Sequence, residues 1–192
     1  MSAFTTLTGR AAPLALANVD TDQIIPARFL KRPRDERYPT YAFADLRFDE
    51  AGAPTGFVLD QPAYRGAGIL VADRNFGVGS SREAAVYALA ALGFRCVIAE
   101  SFGDIFFSNA LKNFLLPVKL PHEAVQALRG LAEAGVPFTV DLHRQVVVAG
   151  NTEHNFTIPA FARECLLAGL DEVGLTLTQL PAIEAFEQRT GR

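Results

Sequence analysis

The sequence predicts an α/β fold in a single domain spanning 1–192, with a mostly parallel central sheet flanked by helices. Three observations carry this. Between Gly68 and Pro121, short apolar runs of strand length alternate with segments of helical periodicity. At 192 residues and 49% hydrophobic content, the chain can bury one substantial core. No internal repeat, low-complexity tract or convincing linker divides it.

Taken in order, Phe4 to Leu16 reads as a strand with imperfect alternation, entering a turn at Asn18-Val19-Asp20-Thr21-Asp22. Residues 31–66 are irregular: Pro33, Pro39, Pro54 and Pro62 interleave with Gly52, Gly56 and Gly66, and no period survives them. A stretch of that length is usually functional or wraps a partner. Ile69 to Ala72 is a strand, and Arg82 to Leu92 a helix with Ala85, Ala88, Leu89 and Leu92 on one face. Cys96 to Ala99 is a second strand and Asp104 to Lys112 a second helix. Leu115 to Val118 is a third strand, ended by Pro117 and Pro121. This β-α-β-α-β order implies parallel strands joined by crossovers. His122 to Ala134 is a helix closed by Gly135. Phe138 to Leu142 and Gln145 to Val148 form a hairpin around His143-Arg144. Pro159 opens a helix through Leu167, and Ala182 to Arg189 is the last one, so 160–192 is a C-terminal helical extension.

Composition excludes several functions. The 18 basic and 21 acidic residues are balanced, and although charges crowd Lys31 to Arg37, no run of Lys or Arg forms the footprint that nucleic acid or an anionic membrane would require. No apolar run approaches membrane-spanning length, and Met1 to Arg10 does not read as a secretion signal, so a cytoplasmic location is expected. Cys96 and Cys165 are far apart in apolar contexts, and His122, His143 and His154 are scattered. No metal or cofactor site carried by this chain alone is expected.

The chemistry concentrates at Gly77-Val78-Gly79-Ser80-Ser81-Arg82-Glu83, between a strand and a helix, where free amides and the helix dipole favour an anion. It is neither a dinucleotide fingerprint nor a phosphate loop. Two readings fit it. Ser80 and Glu83 match the S-x-x-E capping box, worth about 1 kcal/mol to a helix. Arg82, however, would oppose the dipole in the first turn, and is better placed if it grips a carboxylate. Asp20 and Asp22 fit an Asx-turn or cap as well as an acid–base role. Arg28, Phe29, Leu30, Lys31, Arg32 and Arg34 fit either a solvated face or recognition of an acidic substrate beside an apolar wall.

Three ordered segments then stand out together: Asn18 to Pro26, Asn75 to Glu83, and Asp104-Ile105-Phe106 with Asn109, Lys112-Asn113 and Leu115-Leu116-Pro117. They resemble the small subunit of 3-isopropylmalate dehydratase, across nearly the whole chain. The resemblance implies the swivelling β/β/α domain of the aconitase superfamily, paired with a large subunit that carries a [4Fe–4S] cluster. It also implies Ser80 as general base, and Gly79, Ser81 and Arg82 as the cradle for a substrate carboxylate. Asp22 would support the acid–base network, and Arg28 to Arg34 would face the substrate's side group. The expected reaction is the leucine-pathway interconversion of 2- and 3-isopropylmalate by dehydration and rehydration. Related small subunits serving methylmalate, dimethylmalate or citraconate chemistry share the pattern, and a non-catalytic dicarboxylate-binding module is the alternative from another class. Ala84, Phe114 and Val78 depart from residues common at these places in the family, where His, Gly and Cys are usual.

Overall fold

A computed structural model describes residues 2–190. Its eight strands form two four-stranded sheets. The parallel sheet is ordered β2 (Ala11–Pro13), β3 (Ile69–Val71), β4 (Cys96–Ala99), β5 (Leu116–Lys119). The antiparallel sheet is ordered β1 (Thr6–Gly9), β6 (Phe138–Asp141), β7 (Val146–Ala149), β8 (Thr152–Asn155).

The parallel strands are apolar throughout because both of their faces are covered, as period-two side chains require. Ala12, Leu70, Val97 and Ala99 point into one core with helix α3 (Glu83–Ala91) and helix α1 (Thr21–Ile24). Phe106 and Ala110 of α4 (Asp104–Lys112) join that core, as does Phe43, which precedes α2 (Ala44–Arg47). The alternate residues Ala11, Ile69, Val71, Cys96, Ile98, Leu116 and Val118 enter a second core. There they meet α5 (His122–Glu133) and Phe138, Val140, Val147 and Ala149 of the antiparallel sheet. The layers therefore run antiparallel sheet and α5, parallel sheet, then α1, α3 and α4.

The expected strand at Phe4 to Leu16 is two strands, broken at Arg10, each serving a different sheet. The expected hairpin is β6 and β7, and it gains β8. The central sheet, between the two cores, is parallel as expected, and a second, antiparallel sheet of equal strand number packs beside it. Pro117 lies inside β5 instead of ending it, which an edge strand tolerates because one side needs no ladder donors. Residues 31–66 contain 3-10 turns, α2 and an isolated antiparallel bridge between Phe48 and Pro54. The C-terminal segment is helical in three pieces, α6 (Ala160–Ala168), α7 (Glu172–Leu177) and α8 (Leu180–Thr190), and its last two residues lie outside the described residues. Among the described residues, no helix is long and apolar enough to cross a membrane.

Candidate active site at the carboxyl edge of the parallel sheet

Beyond the ends of β2, β3 and β4 the chain keeps the sheet's order. Residues 18–21, 75–78 and 101–103 lie side by side as irregular extensions of those strands. Bridges join Asp20 to Val78 and Phe76 to Phe102. The Gly77 amide donates to the Val19 carbonyl at 2.7 Å, and the Thr21 amide donates to the Val78 carbonyl at 2.9 Å. On the other side, the Phe76 amide donates to the Ser101 carbonyl and the Gly103 amide to the Phe76 carbonyl, both at 2.9 Å. Two of the three sequence motifs are thereby held against each other at the carboxyl ends of parallel strands, where open α/β sheets place their ligands.

Glycine is required at the middle of the loop. Gly77 has φ +72°, and a Cβ there would stand 2.6 Å from Cδ2 of Phe106. Gly79 has φ +91°. Both conformations are ones that residues with side chains rarely adopt.

The structure corrects the capping reading. Helix α3 begins at Glu83 with Arg82 as its N-cap, and no side chain caps it. Ser80 is not the cap: its carbonyl accepts from the Thr21 hydroxyl at 2.9 Å, and Thr21 is 2% exposed. The Glu83 carboxylate accepts instead from the side-chain amide of Asn113, the C-cap of α4, at 2.8 Å, which holds its pKa below the usual value of 4.5. The capping box belongs to α1, where Asp20 Oδ1 accepts from the Gln23 amide at 2.7 Å and Gln23 Oε1 accepts from the Asp20 amide at 3.0 Å. Helix α3 thus keeps its first-turn donors without a capping side chain, beside the exposed Ser80 and Ser81.

Arg82 and Asp22 form an ion pair. The guanidinium is largely covered and the carboxylate about half exposed. Asp22 Oδ1 also accepts from the Ala27 amide at 2.8 Å. The bond from Arg82, then that from Ala27, hold its pKa below the usual 3.8.

The segment after α1 is tied to the same pair through Ala27. Arg28 bonds Asp45 of α2, at 3.0 Å through Nη1, and lies 4.6 Å over the Phe29 ring, which stacks on Tyr41 at 4.5 Å. Arg34 lies 4.1 Å over the ring of Tyr87 on α3. Leu30, Lys31 and Arg32 are exposed. Arg28 and Arg34 are therefore engaged by their own chain, and Lys31 and Arg32 face solvent.

Cys96 is fully buried in β4 and Cys165 is buried in α6. Burial raises the pKa of both thiols. Among the described residues, one group of three has ligand-type atoms near enough to one another to hold a metal ion, Asp73, Glu100 and His122, within 4.8 Å. Its members already have partners in this chain, His122 Nδ1 hydrogen-bonding Glu100 and Arg129 lying 3.3 Å from Asp73. Sequence reasoning placed Asn18 and Thr21 in a turn and Ser101 at a helix entry, and gave none of these, nor Asn75, an individual part in the site that their side-chain hydrogen bonds brace. The signal that was available is an Asn at each of two turns, the side-chained residue most at ease with positive φ.

Residues 1–123, which contain these strand extensions and the loop, match the family description of the aconitase C-terminal domain. Similarity over nearly the full length narrows it. The 3-isopropylmalate dehydratase small subunit of Rhodospirillum centenum is 51% identical over 193 residues, covering 98% of this chain and 95% of that protein. That of Roseobacter denitrificans is 49% identical, covering 98% and 96%. The crystal structure of 3-isopropylmalate dehydratase from Methanocaldococcus jannaschii matches with a TM-score of 0.67 at 29% identity, covering 94% of this chain and 99% of that one. The chain belongs to the family of 3-isopropylmalate dehydratase small subunits.

Proposed function

We propose that the chain is the small subunit of a hydro-lyase that interconverts 2- and 3-isopropylmalate, and that it builds its half of the active site from Ser80, Ser81, Arg82 and Asp22. The observation that carries the site assignment is the Arg82–Asp22 ion pair, which joins two motifs 60 residues apart beside exposed serines and the uncapped start of α3.

The reaction removes a proton from carbon next to a carboxylate and hydroxide from the neighbouring carbon, giving an alkene that water re-enters with the opposite regiochemistry. Ser80 takes the proton. A neutral serine is a weak base, so the site must stabilise negative charge on the oxygen and on the adjoining carboxylate. The α3 amides and Arg82 do this from fixed positions. Substrate carboxylate competes with Asp22 for Arg82. Asp22 keeps the guanidinium aimed and its charge compensated. Phe29, Leu30 and the cations from Arg28 to Arg34 border the substrate's alkyl group and second carboxylate.

Two buried thiols on different elements do not fit an iron–sulfur cluster, which takes three or four thiolates. The [4Fe–4S] cluster implied by the resemblance belongs to the large subunit, a cytoplasmic partner that supplies the Lewis acid for hydroxide departure. This chain alone binds dicarboxylate weakly and catalyses nothing.

The test is co-expression with the large subunit, following alkene absorbance from 2-isopropylmalate. Ser80→Ala lowers kcat by about 10²–10⁴-fold, the usual contribution of a positioned base, and leaves the complex assembled. An active wild-type complex in which Ser80→Ala turns over normally refutes the assignment. Activity confined to methylmalate or citraconate changes the substrate and leaves the site roles standing.

A further inference from the structure

Loop 75–82 is held by more than its backbone rungs. The Asn75 side-chain amide donates to Asn18 Oδ1 at 2.8 Å. The Ser101 hydroxyl donates to Asn75 Oδ1 at 3.1 Å, and the Asn75 backbone amide donates to the same hydroxyl oxygen at 2.9 Å. The Asn18 amide donates to the Arg74 carbonyl at 2.9 Å. One side chain from each strand extension thus meets at Asn75.

Asn18 and Asn75 share an unusual backbone state, each with φ +56°. Glycine serves that conformation at lower steric cost and does so at Gly77 and Gly79 in the same loop. What Asn adds over glycine at 18 and 75 is therefore the amide. Asn18 and Asn75 are also exposed. Removing an exposed amide leaves no buried group without a partner, so folding does not depend on this network as it depends on the core.

We propose that Asn18 and Asn75, bonded directly to each other with Ser101 bracing Asn75, are positioning residues: their amide pair fixes loop 75–82 against segment 18–22 and so sets Ser80 and Arg82 relative to Asp22. The geometry is direct. Asn18 is four residues before Asp22, Asn75 is five before Ser80, and the backbone rungs between Val19 and Gly77 and between Thr21 and Val78 continue the same seam. Pulling apart its outer end lets the two motifs slide by a fraction of a residue. A misplacement of about 1 Å at reacting groups lowers rates by about 10²-fold.

The proposal rests on the roles given above to Ser80 and Arg82. The experiment uses the complex with the large subunit, with substrate 2-isopropylmalate and with cluster content matched among variants. Asn18→Gly and Asn75→Gly keep the backbone conformation and delete the amides. Each lowers kcat by about 10–100-fold with KM changed by less than about 3-fold, and the double variant is no slower than the slower single, because either change breaks the same bond. Asn18→Asp combined with Asn75→Asp, which keeps both shapes but leaves two carboxylates facing each other with no donor between them, gives the same loss and serves as the decisive variant should Asn75→Gly fail to assemble. Ser80→Ala is run in parallel. If Ser80→Ala is inactive while Asn18→Gly and Asn75→Gly turn over within 2-fold of wild type, the positioning role falls and the catalytic assignment stands. If Ser80→Ala is active, the base assignment falls, and the clamp is decided by the same kcat comparison. Losses that multiply in the double variant also overturn it.

Discussion

Gly77→Ala tests whether the loop's path is dictated by packing. An added Cβ would stand 2.6 and 2.7 Å from Cδ2 and Cβ of Phe106, and closer still to Cγ. Ordinary carbon contacts are about 3.5–4.0 Å, so the ring or the loop must move by about 1 Å. Phe106 cannot give way easily. It is 2% exposed, sits edge-on to Phe76 at 5.4 Å and stacks on Phe102 at 6.1 Å. Overpacking of this kind costs about 1–3 kcal/mol, and a side chain in the left-handed conformation about 1–2 kcal/mol more. Together these give about 2–5 kcal/mol, which for a chain of this size lowers Tm by about 4–20 °C. Gly130→Ala is the internal control. It lies in α5 with open space around its Cβ position, so the same chemical change should raise Tm by about 1–4 °C. Thermal unfolding followed by far-UV circular dichroism measures both. A Gly77→Ala protein that melts within 2 °C of wild type refutes the packing account of the loop.

Other outcomes follow from the site. Thr21→Val deletes the hydroxyl that holds the Ser80 carbonyl while keeping the buried shape, and should destabilise by about 1–3 kcal/mol in denaturant titration; Thr21→Ser restores the bond. The Asp22 carboxyl has a folded-state pKa below its ordinary 3.8, so its stabilising contribution is complete above that value and disappears as pH falls through the depressed one. The acid limb of a kcat/KM profile above pH 5 should therefore persist in Asp22→Asn, at lower amplitude. Arg82→Lys keeps the charge but loses the fork that can hold Asp22 or a substrate carboxylate, and should raise KM for isopropylmalate by about 10-fold or more in steady-state assays. Cys96, buried with a raised pKa, should resist thiol reagents at pH 8 until the protein is unfolded.

The β3-α3-β4-α4-β5 run was legible because strand and helix periods alternate there without interruption. The antiparallel sheet was only partly legible. Its strand β8, Thr-Glu-His-Asn, lies at an edge and alternates between half-buried and exposed, so no apolar pattern marks it. The division of β1 from β2 escaped too, since a break at Arg10 is a consequence of two sheets competing for one segment. At the site, Asp20-x-x-Gln23 and Ser80-x-x-Glu83 are equivalent as local patterns, and only tertiary contacts separate them. Asp20 is free to cap α1, whereas the Ser80 carbonyl is drawn to Thr21 and Glu83 to Asn113. That Asp22 would meet Arg82 follows from neighbouring strands ending together, which no local signal encodes.

The break at Arg10 also bears on synthesis. Strand β2 pairs with β3 near the middle of the chain, but β1 pairs with β6, and the Thr8 and Thr139 hydroxyls that meet at 3.0 Å are 131 residues apart. At about 5–20 residues per second, a ribosome needs about 7–26 s to deliver that partner. Until then the first strand of the protein waits as an open edge beside a sheet that can already form. A polypeptide stopped before Phe138 would keep that edge unpaired and would be prone to self-association, whatever the state of its catalytic loop.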